Sequence, residues 1–456
     1  MNYYQEHRAA FLEGLKAFLR IPSISTLPEH KADIRRAAEF VAEELRRAGL
    51  AQVELIEGPG HPLVYGEWTG APGKPTLLVY GHYDVQPPDP LEEWKSPPFE
   101  PVVRGEDIFA RGASDDKGQT YILIKAVEGF LKTRGELPVN VKFLIEGEEE
   151  VGGGHIEQYV ASRPPRLRAD AALICDTEMF AAGLPTLCVG LRGIVYAEVE
   201  VQGASHDLHS GVYGGAVPNP IQAVAEILCA LKDREGRIQI PGFYDRVQPP
   251  SPKEREAWAR LPFDEAEYRE KEVGAPELVG EPGVPVLERL WARPTLEVHG
   301  IRGGFTGEGA KTVIPARAVA KISMRLVPEQ RPEEAFEQLR GAVEAARPRG
   351  VTVQVRWIHG AAPSRVDPES PFLRAAAEAL EEVFGGKTVY VRSGGSIPIV
   401  GLFDRHLGIP SVLMGFGLPD DNLHAPNEKF HLPNFYRGIE TVARYLEILG
   451  RWGGRG

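Results

Sequence analysis

His82 and Asp84 stand two residues apart at the end of the apolar run TLLVYGHYDV. Such a run reads as a buried strand, and a spacing of two sends both side chains to one side of an extended segment. A histidine beside an aspartate suits an imidazole that binds a cation through one nitrogen while a carboxylate steadies the other. In ARGASDDKGQ, Asp115 and Asp116 sit at the mouth of a helix beginning near Lys117. Helix capping accounts for one aspartate there, because a carboxylate is favoured at the positive end of the helix dipole. It leaves Arg111 and Gly112, just before the pair, unexplained. A carboxylate shared by two cations would use one of the pair, and Asp115 is the better placed.

The run VNVKFLIEGEEE closes on Glu148, Glu149 and Glu150, followed by Val151 and three glycines. Adjacent anions at a strand end repel one another unless solvent or a cation relieves them. With a cation, one carboxylate binds while its neighbour serves as general base toward water. ALICDTE ends another apolar run on Asp176, and LPDDNLHAPNEKF offers His424 in a polar loop. Taken singly, each has an ordinary explanation as a cap, a solvated charge run or an inert loop residue. Taken together, they can fill two sites: one His, a bridging Asp and a carboxylate, then the same bridge with a Glu and a second His. Mixed nitrogen and oxygen donors without thiolate suit Zn²⁺, with Mn²⁺ and Co²⁺ as alternatives.

The elements that must hold these residues can be read from periodicity. Ile34, Ala37, Phe40, Val41 and Leu45 predict a helix over 33–48, ended by Gly49. The strand TLLVYGHYDV, a helix from about Asp116 to Lys132, and the strands VNVKFLIEGEEE and ADAALICDTE come next. That alternation predicts an α/β catalytic domain with a mostly parallel central sheet covered by helices. Ligand sites in such sheets lie at the carboxyl ends of strands.

Near residue 188 the texture changes. LRGIVYAEVEVQG alternates apolar and polar positions, and a helix comes after Pro218–Asn219–Pro220. TVIPARAVAKISMRLVP and VTVQVRWI then flank a helix over 332–347, which predicts a small α+β sandwich with one open face. Residues 241–296, rich in Pro, Glu and Arg, read as an insertion into it. The α/β texture returns near 394 and ends on an amphipathic helix from Phe435 to Leu449. The expected organisation is a catalytic domain of residues 1–187 and 394–456, interrupted by a lid of residues 188–393.

A chain of 456 residues exceeds one ordinary core, and 43% hydrophobic with 25% charged residues is a globular profile. No run of eighteen apolar residues is present, so no membrane span is expected. The segment MNYYQEHRAAFLEGLKAFLR reads as an amphipathic helix and not a signal peptide, which makes a cytoplasmic location the expectation. A net charge of −12 argues against a nucleic-acid partner. Cys175, Cys188 and Cys229 lie in apolar runs and are expected to be buried thiols.

GHYDVQP, RGASDDKG, IEGEEEVGG, LICDTE, DLHSGVYGG, GAKTVIPAR, RSGGSIP and DNLHAPNEKF occur in this order. Together they resemble the motifs of the di-zinc aminoacylase and carboxypeptidase G family, and within it those of the carnosinase-like nonspecific dipeptidases. The resemblance implies two Zn²⁺ per chain, one on His82 and Asp176, the other on Glu150 and His424, with Asp115 bridging. It implies that Asp84 orients His82 and that Glu149 is the base activating a water between the metals. Glu148 lies where the family fixes no residue, close enough to perturb that base. His209 would polarise the scissile carbonyl from the partner subunit of a homodimer built through the lid. Thr312, Arg325 and Ser396 match positions that hold a substrate carboxylate. The implied substrates are dipeptides or small peptides with a free C-terminus. The alternatives are a deacylase or desuccinylase of N-acyl amino acids using the same site, or a metal-binding protein without catalysis. An unligated Glu149 has no use in the last. A phosphoesterase lacks the expected Arg/Lys cluster near the motifs.

Overall fold

The computed structural model describes residues 2–452. In chain order its main elements are α1 (Arg8–Leu19), α2 (Lys31–Ala48), β1 (Gln52–Ile56), β2 (Leu63–Trp68), β3 (Thr76–His82), α3 (Lys117–Arg134), β4 (Asn140–Glu146), β5 (Ala171–Ile174) and β6 (Thr186–Leu191). Then come β7 (Gly193–Gln202), α4 (Pro220–Leu231), β8 (Thr295–Gly303), β9 (Arg317–Leu326), α5 (Pro332–Ala345) and β10 (Thr352–Ala361). The chain closes with α6 (Pro371–Phe384), β11 (Ser411–Leu413) and α7 (Leu432–Gly450). Two compact units result, one of residues 1–189, 366–391 and 402–456, the other of residues 190–365 and 392–401.

The first unit carries a sheet in the order β1-β2-β4-β3-β5-β11-β6. Its centre, β4-β3-β5-β11, is parallel, while β1, β2 and β6 pair antiparallel at the flanks. The expected α/β class and its mostly parallel sheet are what the chain forms. β3 is buried on both faces after its first residue, as a parallel strand covered by helices must be. α2 runs as predicted and ends on Gly49, whose φ of 112° needs a residue without a Cβ. α3 is buried over nearly its whole length and packs against both α2 and α7. Phe18 stacks on Phe40 at 4.9 Å and Tyr121 on Phe435 at 6.4 Å, which ties α1, α2, α3 and α7 into one core.

The second unit has its own core beneath a four-stranded antiparallel sheet in the order β8-β9-β7-β10. β7 alternates buried and half-buried positions, so one face packs on α4 and α5 and the other stays open. Asn219 caps α4 by accepting from the Ile221 amide, with Pro220 at the first turn. Residues 241–296 hold more regular structure than their composition suggests. A helix over Pro252–Ala259 opens on a Ser251–Glu254 capping box, and Val286–Ala292 forms another; Trp258 and Trp291 meet edge to face between them.

One cysteine departs from expectation. Cys175 and Cys188 are buried, but Cys229 is exposed. α4 buries Ala223, Val224, Ile227 and Leu231, and a residue two beyond Ile227 falls on the opposite face. Among the described residues no helix is long and apolar enough to cross a membrane.

Candidate metal centre

Parallel pairing puts three strand ends on one edge of the first unit's sheet. The register sets His82 opposite Glu146 and Tyr80 opposite Ile174, so the segments leaving β3, β4 and β5 converge. Gly81 permits this, because a Cβ there would collide with Thr120 Oγ1 on α3 and with Asp116 just before it. From these ends His82, Asp115 and Asp176 form one group of metal-ligand atoms, and Asp115, Glu150 and His424 form a second. Within each group the ligand atoms lie within 4.8 Å of one another, and Asp115 belongs to both.

His82 Nε2 lies 3.1 Å from Asp115 Oδ1 and 4.0 Å from Asp176 Oδ2. It is fully buried yet has no hydrogen-bond partner. A buried ring nitrogen without a partner, facing carboxylate oxygens, fits a divalent cation between them. On the other side, His424 Nε2 sits 2.9 Å from Asp115 Oδ2 and 3.4 Å from Glu150 Oε2. His424 adopts φ of 61°, and Asn422 and Asn427 beside it are also left-handed. Non-glycine residues rarely hold that conformation, although Asn and His tolerate it best. Here Asn427 anchors the loop by accepting from the Lys95 amide and donating to the Glu93 carbonyl, both at 2.8 Å.

Asp84 serves two partners. His82 Nδ1 contacts its backbone carbonyl at 3.1 Å, while its carboxylate accepts the amides of Glu149 at 3.3 Å and Glu150 at 3.1 Å. The same aspartate therefore fixes the imidazole and the turn carrying both glutamates. Glu148 turns away to lie against Gly60. Among neighbouring acids, the largest pressures on Glu149 come from Glu150, Asp115 and Glu146.

Charge density explains why the cluster needs a cation. Burial, then Glu150, Asp115 and Glu146, hold the Glu149 carboxyl well above its usual range against the pull of His82. Asp176 is raised by burial and by Asp116 and Asp115, and Glu150 by burial and Asp115. Asp115 goes the other way: burial opposes ionisation, but contacts from His424 and His82 hold it well below the usual carboxylate range. So many buried acids cannot all ionise without compensating positive charge.

Several residues that shape the cluster were not among the sequence candidates. Glu428, wholly buried, accepts the amides of Gly112 at 2.8 Å, Ser114 at 2.9 Å and Asp115 at 3.1 Å, and pairs with Arg111 at 2.8 Å. This is the reason for Arg111 and Gly112 before the aspartate pair. Gly112 also takes φ of 82°. Asp116 occupies the cap position of α3 without capping it; its carboxylate accepts from Thr120 Oγ1 at 2.8 Å and the His82 amide at 3.1 Å. Gln86 donates to Glu150 Oε2 at 2.8 Å. Only the position of Glu428 within the last motif, and of Gln86 within the first, hinted at them.

The other four candidates lie in the second unit. Arg325 Nη1 donates to Ser396 Oγ at 2.9 Å, and burial pushes its guanidinium below its usual range. His209 ends the short strand Leu208–His209 and Thr312 directly precedes its partner Val313–Ile314; both residues are exposed, and the Ser210 amide donates to the Thr312 carbonyl at 3.1 Å. His209 Nδ1 accepts the Gly211 amide at 3.0 Å.

Two groups of potential metal ligands that share one carboxylate, at the strand ends of a parallel α/β sheet, fit the class of metal-dependent hydrolases. The profile of Peptidase family M20/M25/M40 matches residues 78–448, and the chain belongs to that family of metallopeptidases. It is 32% identical over 467 residues to the Cys-Gly metallodipeptidase DUG1 of Candida albicans, covering 98% of this chain and 96% of that protein. It is 31% identical over 462 residues to the Beta-Ala-His dipeptidase of Homo sapiens, covering 98% and 91%. Among solved structures it is similar to the M20 family metallo-carboxypeptidase Sso-CP2 from Sulfolobus solfataricus, with a TM-score of 0.88, 35% identity, and coverage of 97% and 99%.

Proposed function

We propose that this chain is a zinc-dependent dipeptidase, cleaving the amide bond of dipeptides and small peptides that carry a free C-terminal carboxylate. The observation that carries the reading is a pair of ligand groups sharing Asp115, with Glu149 beside them and in neither. The dipeptides in the names of the Candida and human relatives point to the same substrate class. His82 and Asp176 hold one cation, Glu150 and His424 the other, and Asp115 both. Cations bound there supply Lewis acidity, which acidifies water and polarises a carbonyl.

The chain's own groups do the rest. Glu149 takes the proton from the attacking water and returns it to the leaving amine. Asp84 keeps His82 in the tautomer whose Nε2 is free to ligate. Because His209 Nδ1 accepts a backbone amide, the neutral ring carries its proton on Nε2, ready to donate to the developing oxyanion. His209 acts across the interface of a homodimer formed through the lid, residues 190–365 and 392–401, while residues 1–189, 366–391 and 402–456 form the catalytic domain. Arg325, Ser396 and Thr312 receive the substrate carboxylate, the guanidinium by paired hydrogen bonds. The enzyme works in the cytoplasm.

Metal analysis and then turnover of a dipeptide panel beside N-acyl amino acids test the reading. Two zinc ions per chain and preferential cleavage of dipeptides are expected. Preferential turnover of N-acyl amino acids would reassign it to the deacylases, and full activity of metal-free protein would overturn it.

A further inference from the structure

The two ligand groups differ in how their carboxylates are held. Asp84 braces both sides at once, through the His82 ring and through the amides of Glu149 and Glu150. Glu428 acts on Asp115, which both groups share. Gln86 is different. Its Nε2 donates at 2.8 Å to Glu150 Oε2, the oxygen that faces His424 Nε2 at 3.4 Å, and it makes no such bond to His82, Asp115 or Asp176. Its backbone is well placed to do this, because the preceding Val85 amide donates to Ser23 O at 2.9 Å and Ser23 Oγ donates to Tyr83 O at 2.6 Å.

We infer that Gln86 is a positioning residue for one metal only, the cation held by Glu150 and His424. A carboxylate free to rotate loses orientational entropy when it binds a cation. One already pinned by a side-chain amide has less to lose, and such outer partners change metal affinity by roughly 10–100-fold. The amide is uncharged, so it fixes Glu150 without competing with the cation for it. The chain therefore sets the affinities of its two metals separately, by a residue that touches neither. This inference rests on the two-cation reading above.

The test is a Co²⁺ titration of metal-free protein, read by visible absorption and by competition with a chelator. Two variants are compared with the parent chain: Gln86→Met, which keeps the bulk but removes the donor, and Gln86→Asn, which withdraws the amide by one methylene. Both are repeated in the His424→Ala background. One of the two equivalents should weaken by about 10–100-fold in each single variant, while the other keeps its affinity and spectrum. In the His424→Ala background the remaining equivalent should be indifferent to position 86. A merely structural role would lower both equivalents together and shift the melting of the metal-free protein. Equal loss of both, no loss of either, or a further loss in the His424→Ala background each overturns the inference. Failure of the parent chain to bind two equivalents would instead overturn the two-cation reading.

Discussion

Glu428 holds Asp115 from behind, its Oε1 accepting the Asp115 amide at 3.1 Å while its Oε2 pairs with the buried guanidinium of Arg111. The shared carboxylate is thus aimed by a residue more than three hundred positions away in sequence. Glu428→Ala leaves Arg111 buried without a counter-charge, a change that costs about 3–5 kcal/mol. It also releases the loop that presents Asp115. A lowered melting temperature is expected, together with loss of both metals, because both groups use Asp115. Metal analysis and calorimetry on the same sample check this; retention of both metals would separate Glu428 from the centre.

Chelation should abolish hydrolysis, and Zn²⁺, Mn²⁺ or Co²⁺ should restore it, with activity rising as two equivalents per chain are bound. Equilibrium dialysis read alongside dipeptide turnover tracks both quantities. Saturation of activity at one equivalent would mean that the second group is not needed for catalysis.

Ligand and base are separable. Glu149→Gln keeps the shape of a residue in neither ligand group, so both metals should remain while kcat falls by roughly 10²–10⁴-fold. His424→Ala removes a ring nitrogen from one group and should lower metal content instead. Normal turnover in the first variant, or normal metal content in the second, would refute the respective role.

Subunit mixing tests His209. His209→Ala and Glu149→Gln, each inactive alone, are dissociated and reassociated in equal amounts, with exchange confirmed by a mass tag. If His209 serves the neighbouring subunit, about half the dimers are mixed and each has one intact site, so about a quarter of parental activity returns. If it serves its own chain, no activity returns.

Arg325→Ala should raise KM for dipeptides with a free carboxylate, and lower kcat/KM by about tenfold or more, since a charge-assisted hydrogen bond contributes about 1.5–3 kcal/mol. C-terminally amidated dipeptides, poor substrates for the parent chain, should be little worsened. Steady-state kinetics on matched pairs of substrates distinguish this from a general loss of folding.

Much of the candidate centre is legible in sequence because parallel strands are buried on both faces. Each apolar run must stop abruptly, and a polar side chain at its carboxyl end is there for a reason: His82, Asp176, and Glu149 with Glu150 all occupy such stops. Helices with a strong apolar face were equally plain; the helix expected over 332–347 spans Pro332–Ala345. Gln86 and Glu428 were not legible, since they act through one hydrogen bond or through backbone amides, and neither leaves a spacing pattern. In PNEKF, Glu428 looks like any solvated glutamate, yet it is wholly buried. The antiparallel hairpin β1–β2 escaped because Gln52 and Glu54 dilute its apolar content, and Cys229 because an apolar run does not say which helix face is covered.

β11, which contributes three residues to the parallel part of the first unit's sheet, lies between β5 and β6, although it is made long after both. His424 comes soon after it in the chain. About 250 residues separate Asp176 from His424. At roughly 5–20 residues per second, a ribosome needs on the order of ten to fifty seconds to cover that distance. Throughout that interval the nascent chain holds His82, Asp115 and Asp176 but lacks the second histidine, and until its last dozen residues it also lacks the strand that fills the sheet. A translation product that stops short of His424 therefore lacks a full set of ligands for the second cation. The second ligand group is completed only after the whole of the intervening unit has been made.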